Sequence, residues 1–157
     1  MKNSARQRSR SLRALWATAA IAVSVAGCAS PEPSNVEEAL ADPRVVARLH
    51  DLALELSSIA GAPSPMTMYA AAVSDHQAAE LALSGATIND HAPVFVLVMT
   101  GGPFTALEAP PGVPPPEGNV LTATINAATY DVTDVGIVNA EPDLSEIASA
   151  TVDLNTP

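Results

Sequence analysis

Apolar residues recur along this chain with two different periods, and the periods divide it into elements. Val45, Leu49, Leu52 and Leu56 fall at helical spacing and form one stripe, with Arg44, Arg48, Asp51 and Glu55 off it. The spacing predicts helix over residues 36–59, in one or two pieces. Ser34 with Glu37 fits a capping box before the first piece. Asp42-Pro43 reads as a second start, because proline suits the first helical position. Gly61 and the prolines of GAPSP stop the run. The stripe is expected to pack on the protein's own sheet rather than on a partner helix.

Beyond it the period shortens. MTMYAAAV, residues 66–73, is a short extended candidate. Ser74 and Gln77 form another capping box, and DHQAAELALS reads as a short helix closed by Gly85. PVFVLVMT, residues 93–100, is apolar on both faces and rich in valine, which predicts a central strand covered on both sides. Gly101-Gly102-Pro103 is expected to break it. EAPPGVPPPEG, residues 108–118, is a proline-rich loop of polyproline character. In NVLTATIN, residues 119–126, Leu121, Ala123 and Ile125 point to one face and Thr122 and Thr124 to the other. After a tight turn at 126–129, YDVTDVGIV returns as the hairpin partner.

This order predicts an α+β domain, with helices packed on one face of a small antiparallel sheet, after an N-terminal signal segment. The expected divisions are a signal peptide over 1–27, a tether over 28–35 and a single domain over 36–144. An acidic, partly disordered tail follows over 145–157.

The signal segment is read from charge and length. Lys2, Arg6, Arg8, Arg10 and Arg13 precede ALWATAAIAVSVA, residues 14–26, with no acid among them. A helix needs about 20 apolar residues to span a bilayer, so this run is too short for a stable span. A basic head, a short apolar middle and small residues at the end are the pattern of a secretory signal peptide. Val25-Ala26-Gly27-Cys28 resembles a bacterial lipobox, an aliphatic residue and two small ones before the cysteine. The resemblance implies that Cys28, the chain's one cysteine, carries a diacylglyceryl group and becomes the mature N-terminus. A second acyl chain of the palmitate kind adds hold, since one chain anchors only marginally.

Cleavage at that point changes the charge. The chain carries −10, but residues 28–157 hold all seventeen acids against Arg44 and Arg48 alone, a net charge of −15. Such a surface repels phosphate, which excludes nucleic acid as a partner. It also repels anionic lipid head groups within about 10 Å, and residues 29–35, extended, reach about 20 Å. Lys2 and Trp16 leave with the signal, so neither lysine nor tryptophan remains.

From residue 64 to 144 the chain resembles a set of small, uncharacterised secreted proteins of actinobacteria. The matching residues are Ser84-Gly85-Ala86, Pro93 to Met99, Gly102-Pro103-Phe104 and Val120 to Leu144. The closing hairpin is similar to those of PepSY and cystatin-like domains, in which D-x-x-T-G-x-V is common. Here Tyr130 stands where that pattern has glycine, a position at which a left-handed turn is costly for tyrosine. The resemblance implies a fold and an extracytoplasmic setting, and brings no catalytic residues.

Nor does the chain spell out a known chemistry. The three histidines stand in His50-Asp51, Asp75-His76 and Asp90-His91, without the H-x-x-x-H spacing of a metal site. They are read as surface residues, with no metal and no cofactor expected. G-x-S-x-G is absent, and without lysine a Ser-Lys dyad is impossible beyond the signal. The expectation is a non-catalytic, lipid-anchored envelope protein on the extracytoplasmic face of a bacterial membrane. It would be held by acyl chains on Cys28 and meet a protein partner through loop 108–118. The alternative is a small-ligand or cation-binding envelope domain.

Overall fold

A computed structural model of the protein describes residues 35–106 and 112–155. The signal segment, the lipobox, most of the tether and the start of the proline-rich loop lie outside the described residues. Two helices come first. Helix α1 (Val36–Leu40) is capped by Asn35, whose side chain accepts from the Glu37 N–H at 3.0 Å. Helix α2 (Pro43–Ile59) starts as expected, with Asp42 accepting from the Arg44 N–H at 2.8 Å and Pro43 in the first turn. Leu49, Ala53 and Ser57, one helical turn apart, are fully buried on its inner side.

Strand β1 (Thr67–Val73) follows, then helix α3 (His76–Ser84), β2 (Val94–Thr105), β3 (Glu117–Asn126), β4 (Val132–Val138) and β5 (Ala148–Asp153). They form one antiparallel sheet in the order β4-β3-β2-β1-β5. Strand β2 is central, as its two-faced apolar pattern predicts. Phe95, Leu97 and Met99 enter the core beneath α1 and α2, while Val94, Val96 and Val98 enter a second core on the other face.

The α+β class is the one expected, but the helices are not all on one face. Helix α3 crosses from β1 to β2 on the opposite side from α1 and α2, and its Ala79 is buried in the second core. The reason is the one that makes β2 central. A strand apolar on both sides needs cover on both sides, and α3 with Leu144 and Ile147 provides the second.

Three further expectations change. Gly101-Gly102-Pro103 does not end β2; the register slips between Thr100 and Phe104, and pairing resumes with Phe104 opposite Gly118. Gly101 takes φ +93 there, with Met66 packed closely against its Cα. Helix α3 is capped by Asp75 rather than Ser74; Asp75 Oδ1 accepts from the Gln77 and Ala78 N–H groups, and Gly85 closes the helix at φ +71 as predicted. The stretch expected to fray supplies β5, which pairs with β1 from Tyr69↔Asp153 to Val73↔Ala148.

Tyr130 is the one non-glycine residue of positive φ among the described residues, at +63. Left-handed backbone costs a bulky residue about 1–2 kcal/mol. Its ring stacks on Phe95 at 6.1 Å between centroids, and the Arg48 guanidinium lies 4.0 Å over it. Two such contacts contribute about 0.5–1 kcal/mol each or more, enough to hold the conformation. Asn126 Oδ1 accepts from the Ala128 and Thr129 N–H groups and fixes the turn around it.

Candidate functional site

The densest chemistry lies where α3 meets the β3–β4 hairpin. Asp75-His76 and Asp90-His91 are read from sequence as unrelated surface pairs, and the structure corrects this by joining them crosswise. His76 Nδ1 bonds Asp90 Oδ2 at 2.8 Å, and His91 Nδ1 lies 3.1 Å from Asp75 Oδ2. His91 is exposed, but His76 is buried at 6% exposure. The crossing follows from the path of the chain. Segment 86–92 returns along α3, where the His76 and Gln77 N–H groups bond the Ala92 and Asp90 carbonyls. His50 lies away from this cluster and bonds only its neighbour Asp51, at 3.3 Å.

Beyond His76 the network runs inward. Its Nε2 lies 3.3 Å from Thr133 Oγ1 and 3.5 Å from Glu80 Oε1, one helical turn further along α3. Glu80 is itself buried at 5% exposure. Thr124 Oγ1, fully buried on β3, donates to Glu80 Oε1 at 2.9 Å. Thr133 reaches the group because β4 bulges there: the register slips by one residue between Ile125↔Val132 and Thr124↔Asp134.

An aspartate, a histidine and a hydroxyl in line invite comparison with a nucleophilic triad. Asp90 accepts only, so Nδ1 carries the proton on that side. Thr133 Oγ1 lies 3.0 Å from the Thr124 carbonyl, to which it donates, and 3.3 Å from His76 Nε2. The arrangement is a clamp fastening α3, segment 86–92 and the hairpin together. All buried side-chain polar atoms among the described residues have partners.

Charge at the clamp's mouth is shared out accordingly. The hydrogen bond from His91 holds the Asp75 carboxyl below its ordinary 3.8, and that from His76 does the same for Asp90. Among the described residues no cluster of three or more His, Cys, Asp or Glu side chains has the geometry to hold a metal ion.

A second feature lies across the same face. Tyr69, Pro142, Asp143, Leu144, Ser145 and residues 148–151 of β5 line a shallow groove of about 560 Å³. Burial raises the Tyr69 phenol well above its usual range, and the carboxylates of Glu141 and Asp143 add to it. Asp143 is held below 3.8 by hydrogen bonds from Ser145.

The proline-rich loop is described only from Gly112, and Gly112 to Glu117 are exposed. Ala106 N–H bonds the Pro116 carbonyl at 2.9 Å and closes the loop's base. Cys28, Val25, Ala26 and Gly27 lie outside the described residues. No described helix is long and apolar enough to cross a membrane.

Sequence reasoning missed Glu80, Thr124, Thr133 and Tyr69. His76 and Glu80 at i, i+4 were a readable signal for the first of these. Comparison with family models, with curated proteins and with solved structures gives no match.

Proposed function

We propose that this is a non-catalytic, lipid-anchored protein of the bacterial cell envelope, whose acidic extracytoplasmic domain meets another protein. One observation carries the reading: Val25-Ala26-Gly27-Cys28 closes a short apolar run that follows a basic head. Diacylglyceryl transfer to the Cys28 sulfur and cleavage before it leave a chain of charge −15 on a short tether. The clamp around His76 fits this reading, since its side chains bond one another within the fold. The exposed part of loop 108–118 remains the proposed contact element.

The test is the mass and location of the protein in a bacterial host. The expected species begins at Cys28, carries acyl chains and stays with the membrane fraction, and Cys28→Ser releases it from that fraction. An unlipidated wild-type chain in the medium overturns the anchor.

The groove beside Tyr69 favours the second reading, a small-ligand or cation-binding domain. Thermal melts with calcium or zinc separate the two, because a true site at saturating cation raises the melting temperature by several degrees.

A further inference from the structure

The sheet has an edge strand whose pattern specifies a partner. Among the described residues, strand β4 pairs with β3 on one side only and closes the sheet there. Directly opposed residues in an antiparallel pair share a face. Val132, Val135 and Ile137 stand opposite Ile125, Ala123 and Leu121, which belong to the core under α2. The bulge at Thr133 is what brings Val132 into line with the other two. The β3 residues are buried, at 1% exposure or less, but Val132 is 39% and Val135 47% exposed. Helices α1 and α2 pack chiefly over β1, β2 and β5, so this apolar row continues the core past its cover. On the other face of β4 stands Asp134, exposed, with Asp131 just before the strand.

Deepening the protein-interaction reading above, and resting on it, we propose that β4 takes an added strand from another protein. The strand is extended, with apolar residues alternating with lysine or arginine. Its backbone would bond the free edge of β4. Its apolar residues would flank Val135 and Ile137, and its cations would lie on the opposite face beside Asp134. Main-chain bonds give affinity in such pairing, and alternate side chains give specificity. Charge selects the occupant. A second copy of this chain would set Asp134 and a strongly acidic domain against their like, whereas a basic strand is complementary. The other edge, β5, has α1 packed against it and no large exposed apolar residue.

The probe is a fluorescent ten-residue peptide of alternating valine and lysine, titrated by anisotropy into the full chain purified in detergent. Binding is expected, with amide shifts in the NMR spectrum confined to residues 132–138 and their neighbours. Asp134→Lys should weaken it about tenfold, while Asp51→Lys, the same charge change on the exposed side of α2, should alter it less than twofold. Val135→Asp adds an acid but breaks the apolar row, so it too should weaken binding. N-methylation of alternate peptide amides, which removes the edge hydrogen bonds, should abolish it.

Binding that strengthens with Val135→Asp or survives N-methylation is charge adsorption, and overturns the proposal. So does a dimer of the chain alone that Val135→Asp splits, which makes the occupant a second copy. If the peptide fails while crosslinking in intact envelopes finds a partner elsewhere on the domain, the edge assignment falls and the interaction reading stands. If Cys28→Ser leaves location unchanged while the peptide binds as expected, the anchor falls and the edge assignment stands.

Discussion

Replacing Thr124 by valine tests whether the clamp beneath α3 holds the fold together. Valine keeps the branched shape that a buried strand position favours and removes only the hydroxyl. That hydroxyl is the shortest contact to Glu80, at 2.9 Å; the remaining neighbours, His76 Nε2 and Ser84 Oγ, are both at 3.5 Å. A hydrogen bond to a charged group contributes about 1.5–3 kcal/mol, and a buried carboxylate left short of donors costs more than a neutral group. Thr124→Val is therefore expected to destabilise the domain by about 2 kcal/mol. In a domain of this size that corresponds to a fall in Tm of about 6–10 °C. Urea titration at pH 7 followed by far-UV circular dichroism reads the change directly, with the slope unaltered. Adding Glu80→Leu removes the carboxylate that needs the donor, so the double variant should cost about 1–2 kcal/mol less than the sum of the two single ones. A loss below about 0.5 kcal/mol for Thr124→Val, or strict additivity, would refute the reasoning and make the contact a bystander.

Two more outcomes follow from the same geometry. Alanine at Gly85 and at Gly101 meets left-handed backbone in both places, φ +71 and +93, but a Cβ at Gly85 has open space while one at Gly101 would stand 2.5 Å from Met66 Cγ and 2.8 Å from its backbone nitrogen. Gly85→Ala should cost about 1 kcal/mol and Gly101→Ala about 3 kcal/mol in urea melts, and equal costs would remove the role given to the bulge. Because Asp75 and Asp90 titrate below 3.8 when folded, the stability they confer is present above that pH and is lost as pH falls through their folded values. Carboxyl carbon-13 titration should place both midpoints below 3.8. His76→Gln should raise that of Asp90 and His91→Ala chiefly that of Asp75, and an unmoved Asp90 midpoint would break the pairing.

What the chain spells locally is what it made legible. The valine run of β2, the Asp42-Pro43 start of α2 and Gly85 at the end of α3 each carry their cause within a few residues. What stayed hidden depends on distant partners. The i, i+4 spacing of His76 and Glu80 is local, but the burial of Glu80 depends on Thr124, 44 residues later, folding against it. ASATVD has one branched apolar residue besides its threonine, and becomes a strand because β1 offers an edge. Tyr130 occupies a glycine's conformation because Arg48 and Phe95, remote in sequence, hold its ring. Gly101-Gly102-Pro103 suits a strand end and a bulge equally, and only pairing with Gly118 and Glu117 decides. For the site, the paired Asp-His dipeptides were visible, while their crosswise bonding needed the return path of segment 86–92.

The position of β5 has a consequence for how the molecule is made. Strands β2, β3 and β4 follow one another and pair with their neighbours in sequence, so they can assemble as soon as they emerge. Strand β1 finds one partner in β2, but its other side waits for β5, and its Met68 N–H is met by the side chain of Asn155, 87 residues later. Helix α1 packs against both β1 and β5, so the earliest helix settles with the latest strand. A chain threaded through a membrane pore from its N-terminus therefore presents an unfinished sheet until residues 148–155 have come through. If the chain is exported as proposed, completion of its sheet waits for the passage of the last strand.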